Sequence, residues 1–521
     1  MFFLQKDNFR KLTVISVMVF FLSFAFCEND KYEMLNSLLS GYLENDLELQ
    51  KYTLLAESAS LDYDSEKIKN GITLSLSSGE IKIKSSSDST KISVTPNATL
   101  SLPMLNGTSV TSSFPISIDD GEKSIKNGNV SVQTGIISNY SKERKIKLLE
   151  SQRVYLEAEE SVRNQVLKAE KTFYESLKKL YNYAIQIYNT KSDLYDDTLN
   201  LKVLETQGYS KKSAKYRQAL LKVQSGQRSI NENQRSLERE TALFAMKCGK
   251  TYSRDVNNSK KNFASNDDLG ELAFESVLSF LPKNIPNPET VNIFDYDSAY
   301  YSKIENASWN RFIAEKKREA DYKTTLDASL SYVFNDDFYN KTGTNSASDS
   351  VETKLNWKLK GISASVGIGI PTGNTVLSES SSDNSYNPYY SLNFQFDPNE
   401  WRLSKINTIQ KKIDSTVEDI EIQASYDDYE TEVLDKVSTL HDIKWSQKAY
   451  AQEYDMYVHL EKDMSEWLKQ GIVTESDYIE AYNNREKLRL NILINNIEQI
   501  IYNNDVKLLF CTKNKVDLRK N

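Results

Sequence analysis

Residues 469–484 read KQGIVTESDYIEAYNN. Gly471 is the only glycine between Gly373 and the end of the chain, and the last proline is Pro398. A tail composed this way is helical on both sides of a single break. A second copy of the pattern lies upstream, in TQGYSKKSAKYRQALL over 206–221. Gln207 precedes Gly208 as Gln470 precedes Gly471, and Gly208 is the only glycine between Gly135 and Gly226. Forty residues beyond each glycine stands a cysteine, Cys248 and Cys511, so the offset is 263 both times. The chain reads as an internal duplication of long helical hairpins, each pivoting on one glycine.

Composition agrees with long helices that keep one wet face. Charged residues make up 26% of the 521 and hydrophobic ones 39%, lean for a compact enzyme. Tyrosine is abundant at 31, which suits interfaces and membrane girdles, where the ring is buried and the hydroxyl stays wet. A net charge of -8 with dispersed basic residues argues against a nucleic-acid partner.

The N-terminus has basic Lys6, Arg10 and Lys11, then an apolar run from Leu12 to Phe26. That run is short for a membrane span, and Ser23 and Ala25 fit a cleavage site, so residues 1–25 read as an export signal. Phe26 is large where a lipidation signal carries a small residue, so lipidation of Cys27 is the minority reading. Cys248 and Cys511 read as small apolar residues at helix ends rather than as a disulfide.

The rest divides into repeat 1 (26–248), a proline-bearing connector (249–295), repeat 2 (296–511) and a tail (512–521). In repeat 1 the expected order is helix 32–69, β region 70–140, long helix 141–207 and helix 210–248. In repeat 2 it is helix 296–323, β region 325–399, long helix 401–470 and helix 474–511. The first long helix carries Val166, Phe173, Leu180, Ile187, Leu194 and Leu201 every seven residues, a coiled-coil stripe. The second carries Ile422, Tyr426, Tyr429, Val433, Val437, Leu440 and Ile443 at spacings of three and four. Each is roughly 100 Å long at about 1.5 Å per residue.

The β regions switch to period two. Leu392, Phe394 and Phe396 alternate with Ser391, Asn393 and Gln395, and Ile362, Ala364, Val366, Ile368 and Ile370 alternate with serine and glycine. A lipid-facing barrel strand needs that pattern, and a half-exposed soluble sheet also produces it.

Convergent chemistry is sparse. The two histidines, His441 and His459, lie eighteen apart on one helix with no metal-ligand spacing, and no phosphate-cradling loop occurs. No enzyme activity, cofactor or metal is expected.

This organisation resembles the TolC family of outer-membrane efflux channels over nearly the whole mature chain. The carriers are Gly471, Thr474, Asp477 and Ala481 in the G-x2-[ST]-x2-D-x3-A spacing, the strand-to-helix passage YYSLNFQFDPNEWRLSKI, and the 263-residue duplication. The first copy has Ala214 where the acidic residue would stand. The resemblance implies an α+β membrane protein acting as a homotrimer, each protomer giving four strands to a shared twelve-stranded β-barrel and two helical hairpins to a periplasmic tunnel. The β regions hold more alternating stretches than that.

The function expected is a passive exit duct in the outer membrane. It would work with an inner-membrane pump and a periplasmic adaptor (membrane fusion) protein, in efflux or type I secretion. The alternative is a periplasmic scaffold or surface adhesin with soluble β regions. The turns at Gly208 and Gly471 are expected to be the tips that the adaptor docks on, with Tyr209 and Ile472 exposed. The resemblance also places Asp477 and Glu480 at the tunnel entrance. At the fixed offset the basic Lys212 stands against Glu475 and Arg217 against Glu480, with Lys211 and Lys215 beside them. Weak pairs between neighbouring turns would then hold the entrance shut.

Overall fold

The computed structural model describes residues 32–85, 90–119, 121–125, 128–250, 278–321, 324–334, 349–371 and 388–519. The export signal, Cys27 and the 251–277 part of the connector lie outside these residues. The chain divides into a helical unit (Met1–Thr53, Ser161–Asp297 and Glu430–Phe510) and a sheet-bearing unit (Leu54–Glu160, Ser298–Tyr429 and Cys511–Asn521).

The first expected helix is two helices, α1 (Glu33–Glu44) and α2 (Leu47–Asn70). Asn45 and Asp46 cause the break. The Asn45 amide donates back to the Gly41 carbonyl (2.7 Å), and Asp46 Oδ1 accepts from the Glu48 and Leu49 amides (2.9 and 3.4 Å). One residue closes α1 and the next opens α2.

The long helix α3 (Tyr140–Thr206) is followed by α4 (Ala214–Lys247), and later α5 (Ser302–Ala320) precedes the second sheet segment. The second long helix, α6 (Pro398–Lys469), is followed by α7 (Glu475–Leu509) and the short α8 (Lys513–Asp517). The core of the helical unit is built on the α3 stripe: Phe173, Leu177, Leu180, Tyr181, Ala184 and Ile187 meet Leu35 and Leu39 of α1, Leu237 and Phe244 of α4, and Leu490 and Ile497 of α7. Of α6, only Ile443 is buried.

The described end of the connector is held in this unit by side-chain amides. Asn496 donates to the Ile285 carbonyl, Gln499 to Pro288 and Asn503 to Glu289, while Asn503 Oδ1 accepts from the Val291 amide. Pro286 and Pro288 have no N–H to offer a ladder, so amides spaced three and four apart along α7 satisfy the carbonyls instead.

The sheet-bearing unit contains an antiparallel eight-stranded sheet in the order β1 (Thr73–Ser77), β4 (Asn97–Leu102), β5 (Thr108–Ser113), β8 (Gly128–Ile137), β9 (Thr324–Phe334), β10 (Ser350–Leu359), β11 (Ile362–Pro371) and β12 (Tyr389–Phe396). A smaller sheet, β2 (Ile81–Ser85), β3 (Thr90–Val94), β6 (Ile116–Asp119) and β7 (Glu122–Ile125), extends the two hairpins of the first segment. Among the described residues the main sheet therefore has eight strands, where the resemblance implies four per protomer. Several of the eight are short or charged, such as TLSLS of β1 and SVETKLNWKL of β10.

Under the sheet, α3, α5 and α8 bury a charge network. Arg153 donates to both oxygens of Glu305 (2.7 and 2.6 Å), and Lys515 donates to Glu160 (2.8 Å). All four side chains are buried, and Asn306 Oδ1 accepts from both Arg153 and Lys515. Mutual pairing and added hydrogen bonds are what make such burial tolerable.

Candidate functional site

The register across the eight strands sorts the sheet into two chemically distinct faces. One row of opposed residues is Leu74, Leu100, Val110, Val132, Leu330, Thr353, Ile368 and Tyr390. The parallel row through Leu76, Ala98, Ser112, Val130, Tyr332, Val351 and Ile370 has the same character. Shifted by one residue, the row is Ser75, Thr99, Thr111, Ser131, Ser331, Glu352, Gly369 and Tyr389. Because side chains alternate with period two, the first rows form one apolar face and the third lies on the opposite, polar face. Hydroxyls on the polar face pair with one another, as Thr111 does with Ser131 at 2.6 Å.

Among the described residues nothing covers the β11–β12 part of the apolar face. Leu392 is 79% exposed and Tyr390 73%, and Phe394, Phe396, Val366 and Ile370 are exposed too. Leaving a large apolar side chain in water costs about 1.5–3 kcal/mol relative to burial. The sheet also has two unpaired edges among the described residues, β1 and β12. Its two ends differ. The described residues that join helices to strands, 71–72, 138–139, 321 and 397, all fall at one end, together with the tight turns 103–107 and 360–361. At the opposite end is the smaller sheet.

The two glycine turns belong to the helical unit. Gly208 has φ +73° and Gly471 φ +71°. After α3, the Gly208 amide donates to the Glu205 carbonyl and the Tyr209 amide to Leu204. After α6, Gly471 donates to Leu468 and Ile472 to Trp467. Both are Schellman closures, in which the left-handed residue satisfies the last carbonyls. The next helix begins on a cap: Ser213 Oγ accepts from the Tyr216 amide, and Thr474 forms a reciprocal capping box with Asp477. The Asp477 carboxylate accepts from the Thr474 amide (2.9 Å) and hydroxyl (2.6 Å), and these bonds hold its carboxyl below the usual carboxylate range. The spacing from Gly471 through Thr474 to Asp477 is thus that of a helix stop followed by a capped start.

These caps correct the fixed-offset alignment of the turns. Ser213 and Thr474 are 261 apart, so the first loop is two residues longer. Counted from the caps, Arg217 corresponds to Tyr478 and Ala219 to Glu480. A search for Ser or Thr at the start of each helix would have found the slip. Lys211, Lys212, Lys215 and Arg217 are exposed, and none forms an ion pair among the described residues; the Lys215 ammonium sits over the Tyr209 ring at 5.7 Å. Glu475 accepts from the Tyr195 hydroxyl (3.2 Å), and Ser476 donates to Asp196 (2.8 Å), so the start of α7 is tied to α3. Glu480, Tyr209 and Ile472 are exposed.

Cys248 and Cys511 are buried free thiols, each pushed up to about 12 by burial. His441 and His459 are exposed on α6. Among the described residues no helix is long and apolar enough to cross a membrane.

No curated protein matches the chain in sequence. Solved structures similar to it include a membrane protein from Pseudomonas aeruginosa, at 12% identity over 92% of this chain and 93% of that one (TM-score 0.41). The outer membrane protein VceC of Vibrio cholerae is similar at 10% over 91% and 94% (TM-score 0.41). The CmeC outer membrane channel of Campylobacter jejuni is similar at 11% over 94% and 85% (TM-score 0.41). Two family models match in tandem, the TP096X N-terminal domain over residues 38–285 and the TP096X C-terminal domain over 286–513. The two matched domains abut and together account for the chain from 38 to 513.

Proposed function

We propose that this chain is one protomer of an outer-membrane channel-tunnel, a passive exit duct assembled as a homotrimer. The observation that carries the reading is the two-faced sheet with an uncovered apolar face and two unpaired edges. In lipid, backbone groups must be paired within the protein, so only a closed barrel survives, with apolar residues outward and polar residues towards an aqueous lumen. The ends of the sheet fit the same setting. Short turns on the helix side match periplasmic turns.

In this reading the coiled helices form a periplasmic tunnel coupled to an inner-membrane pump through an adaptor, for efflux of small molecules or type I secretion. Tyr209 and Ile472 offer the docking tips. The exposed cations of the first turn and the exposed Glu475 and Glu480 of the second are opposite charges that meet between neighbouring copies and hold the entrance closed. Asp477 fixes the start of the helix that carries them.

Fractionation with heat-modifiable gel mobility, followed by planar-bilayer recording, tests the proposal. An SDS-resistant trimer in the outer membrane with discrete conductance is expected. A soluble chain without such a trimer overturns the channel and favours a scaffold. In the same recordings, changing Lys211, Lys212 and Lys215 to glutamate raises conductance, and Glu480→Gln lowers cation selectivity. No change in either removes the charge gate.

A further inference from the structure

The edges of the sheet and the edges of the helix layer beneath it belong together. In the sheet-bearing unit Tyr63 of α2 stacks on Tyr155 of α3 at 6.1 Å, Arg153 of α3 pairs with Glu305 of α5, and Arg318 of α5 pairs with Glu418 of α6. The helices therefore lie side by side in the order α2, α3, α5, α6. The outer helix α2 leads directly into the edge strand β1, and the other edge strand, β12, leads directly into the outer helix α6.

Both outer helices carry an uncovered apolar row that repeats every seven residues. On α2 it is Leu54, Leu61 and Ile68, and on α6 it is Ile406, Ile413 and Ile420, all exposed. A heptad row is what one helix presents to another in a coiled coil. The strand directions are compatible with the same meeting. Eight strands that alternate in direction leave β1 and β12 antiparallel, so the edge of one copy can continue the ladder of the next.

The widths agree as well. Eight strands at about 4.8 Å span about 38 Å, and four helices at about 8–10 Å span about 32–40 Å. One copy is then a sector in which sheet and helices have the same breadth.

We infer that copies of this chain join edge to edge, β12 to β1 of the next copy and α6 against its α2, so that each copy supplies eight strands and a ring of three closes a 24-stranded barrel. The inference rests on the trimeric channel proposed above and deepens it. At a strand tilt of about 40° such a barrel has a backbone diameter of about 48 Å, roughly twice that of a twelve-stranded one. A single copy that curled its eight strands shut would enclose only side chains and would leave both heptad rows in water.

The test is a disulfide scan in native outer membranes, with Cys27, Cys248 and Cys511 replaced by alanine. Ser75→Cys on β1 is combined in turn with Ser391→Cys, Asn393→Cys and Gln395→Cys on β12, all four positions sharing the polar face. The expected result is that one combination, after oxidation and full denaturation, gives a covalent ladder ending at three chains, while Ser75→Cys alone gives none. A second pair, Leu61→Cys with Ile413→Cys, joined by a bis-maleimide, gives the same ladder through the helices. A bond closing within one chain, a ladder ending at any other number, or no product from either pair in an inserted and conducting protein overturns this inference alone. A soluble chain overturns it together with the channel.

Discussion

The two long helices were legible as equivalents, yet they bury their apolar faces in different ways. Along α3 the stripe is consumed inside the chain: Phe173 and Leu177 are fully buried, and α1, α4 and α7 all contribute to the same cluster. Along α6 only Ile443 is buried, while Leu403, Ile406, Ile413, Ile420 and Leu434 stand exposed. Apolar periodicity reports that a face is meant to be covered, and it is silent about which molecule covers it. The same distinction separates the cores from the eight-stranded sheet, whose apolar face runs from strand to strand and is left open at β11 and β12 among the described residues.

The sharpest way to break the comparison is to truncate both stripes. Phe173→Ala removes a fully buried ring and is expected to destabilise the protomer by about 3–5 kcal/mol, read as a shift in the denaturant midpoint of the helical signal. Ile413→Ala is expected to leave that midpoint nearly unchanged and to weaken the SDS-resistant oligomer instead. Equal loss of protomer stability in the two variants would mean that α6 is covered within its own chain.

The sheet gives the next largest contrast. Phe394→Arg places a charge on the apolar face and should cost about 2–4 kcal/mol near the bilayer midplane, seen as lost assembly in the membrane. Asn393→Arg, one residue away on the polar face, should assemble normally. A soluble sheet would tolerate both.

How much of this was readable from the sequence depended on whether a feature was local. The long helices, both glycine closures and the alternation of β11 and β12 are local patterns, each written in residues close together in the chain. The strand count was not local. The TLSLS of β1 and the TSVTSS of β5 become members of an apolar face only when the register sets Leu74 opposite Leu100 and Val110 opposite Val132. The buried network was invisible for the same reason. Arg153, Glu305 and Lys515 are distant in the chain, and each looks like an ordinary polar helix position until the fold brings Arg153 within 2.6 Å and Lys515 within 3.7 Å of Glu305. The break at Asn45–Asp46 and the caps at Ser213 and Thr474 carried a signal in their side-chain types, which helical periodicity alone passes over.

The two turns extend the comparison at smaller magnitude. Gly208 and Gly471 share a left-handed backbone, and beyond the adjoining residues no described heavy atom lies within 4 Å of where a β-carbon would stand. Alanine at either position therefore meets no clash and carries only the backbone penalty, about 1–2 kcal/mol. Gly208→Ala and Gly471→Ala should increase amide exchange in the last turns of α3 and α6 to similar extents. A much larger effect at Gly471 would assign that turn a task beyond closing its helix.

The smallest effect distinguishes the turns by pH. At the start of α7 the Asp477 carboxylate accepts from the amide and hydroxyl of Thr474, whereas the corresponding position at the start of α4 is Tyr216, which has no carboxylate. A carboxyl held below its ordinary value favours the folded cap in its ionised form. The contribution is therefore present above the ordinary carboxylate range and lost as pH falls through the depressed value. Acidification should loosen the start of α7 before it affects the start of α4, read from the exchange of the Thr474 and Asp477 amides against the Tyr216 amide. Asp477→Asn should abolish most of that pH dependence while leaving the helix in place, because an amide oxygen can still accept from the Thr474 amide. If the two helix starts loosen together on acidification, the difference between the turns lies elsewhere, and the acidic residue after Gly471 is free to act through its charge alone.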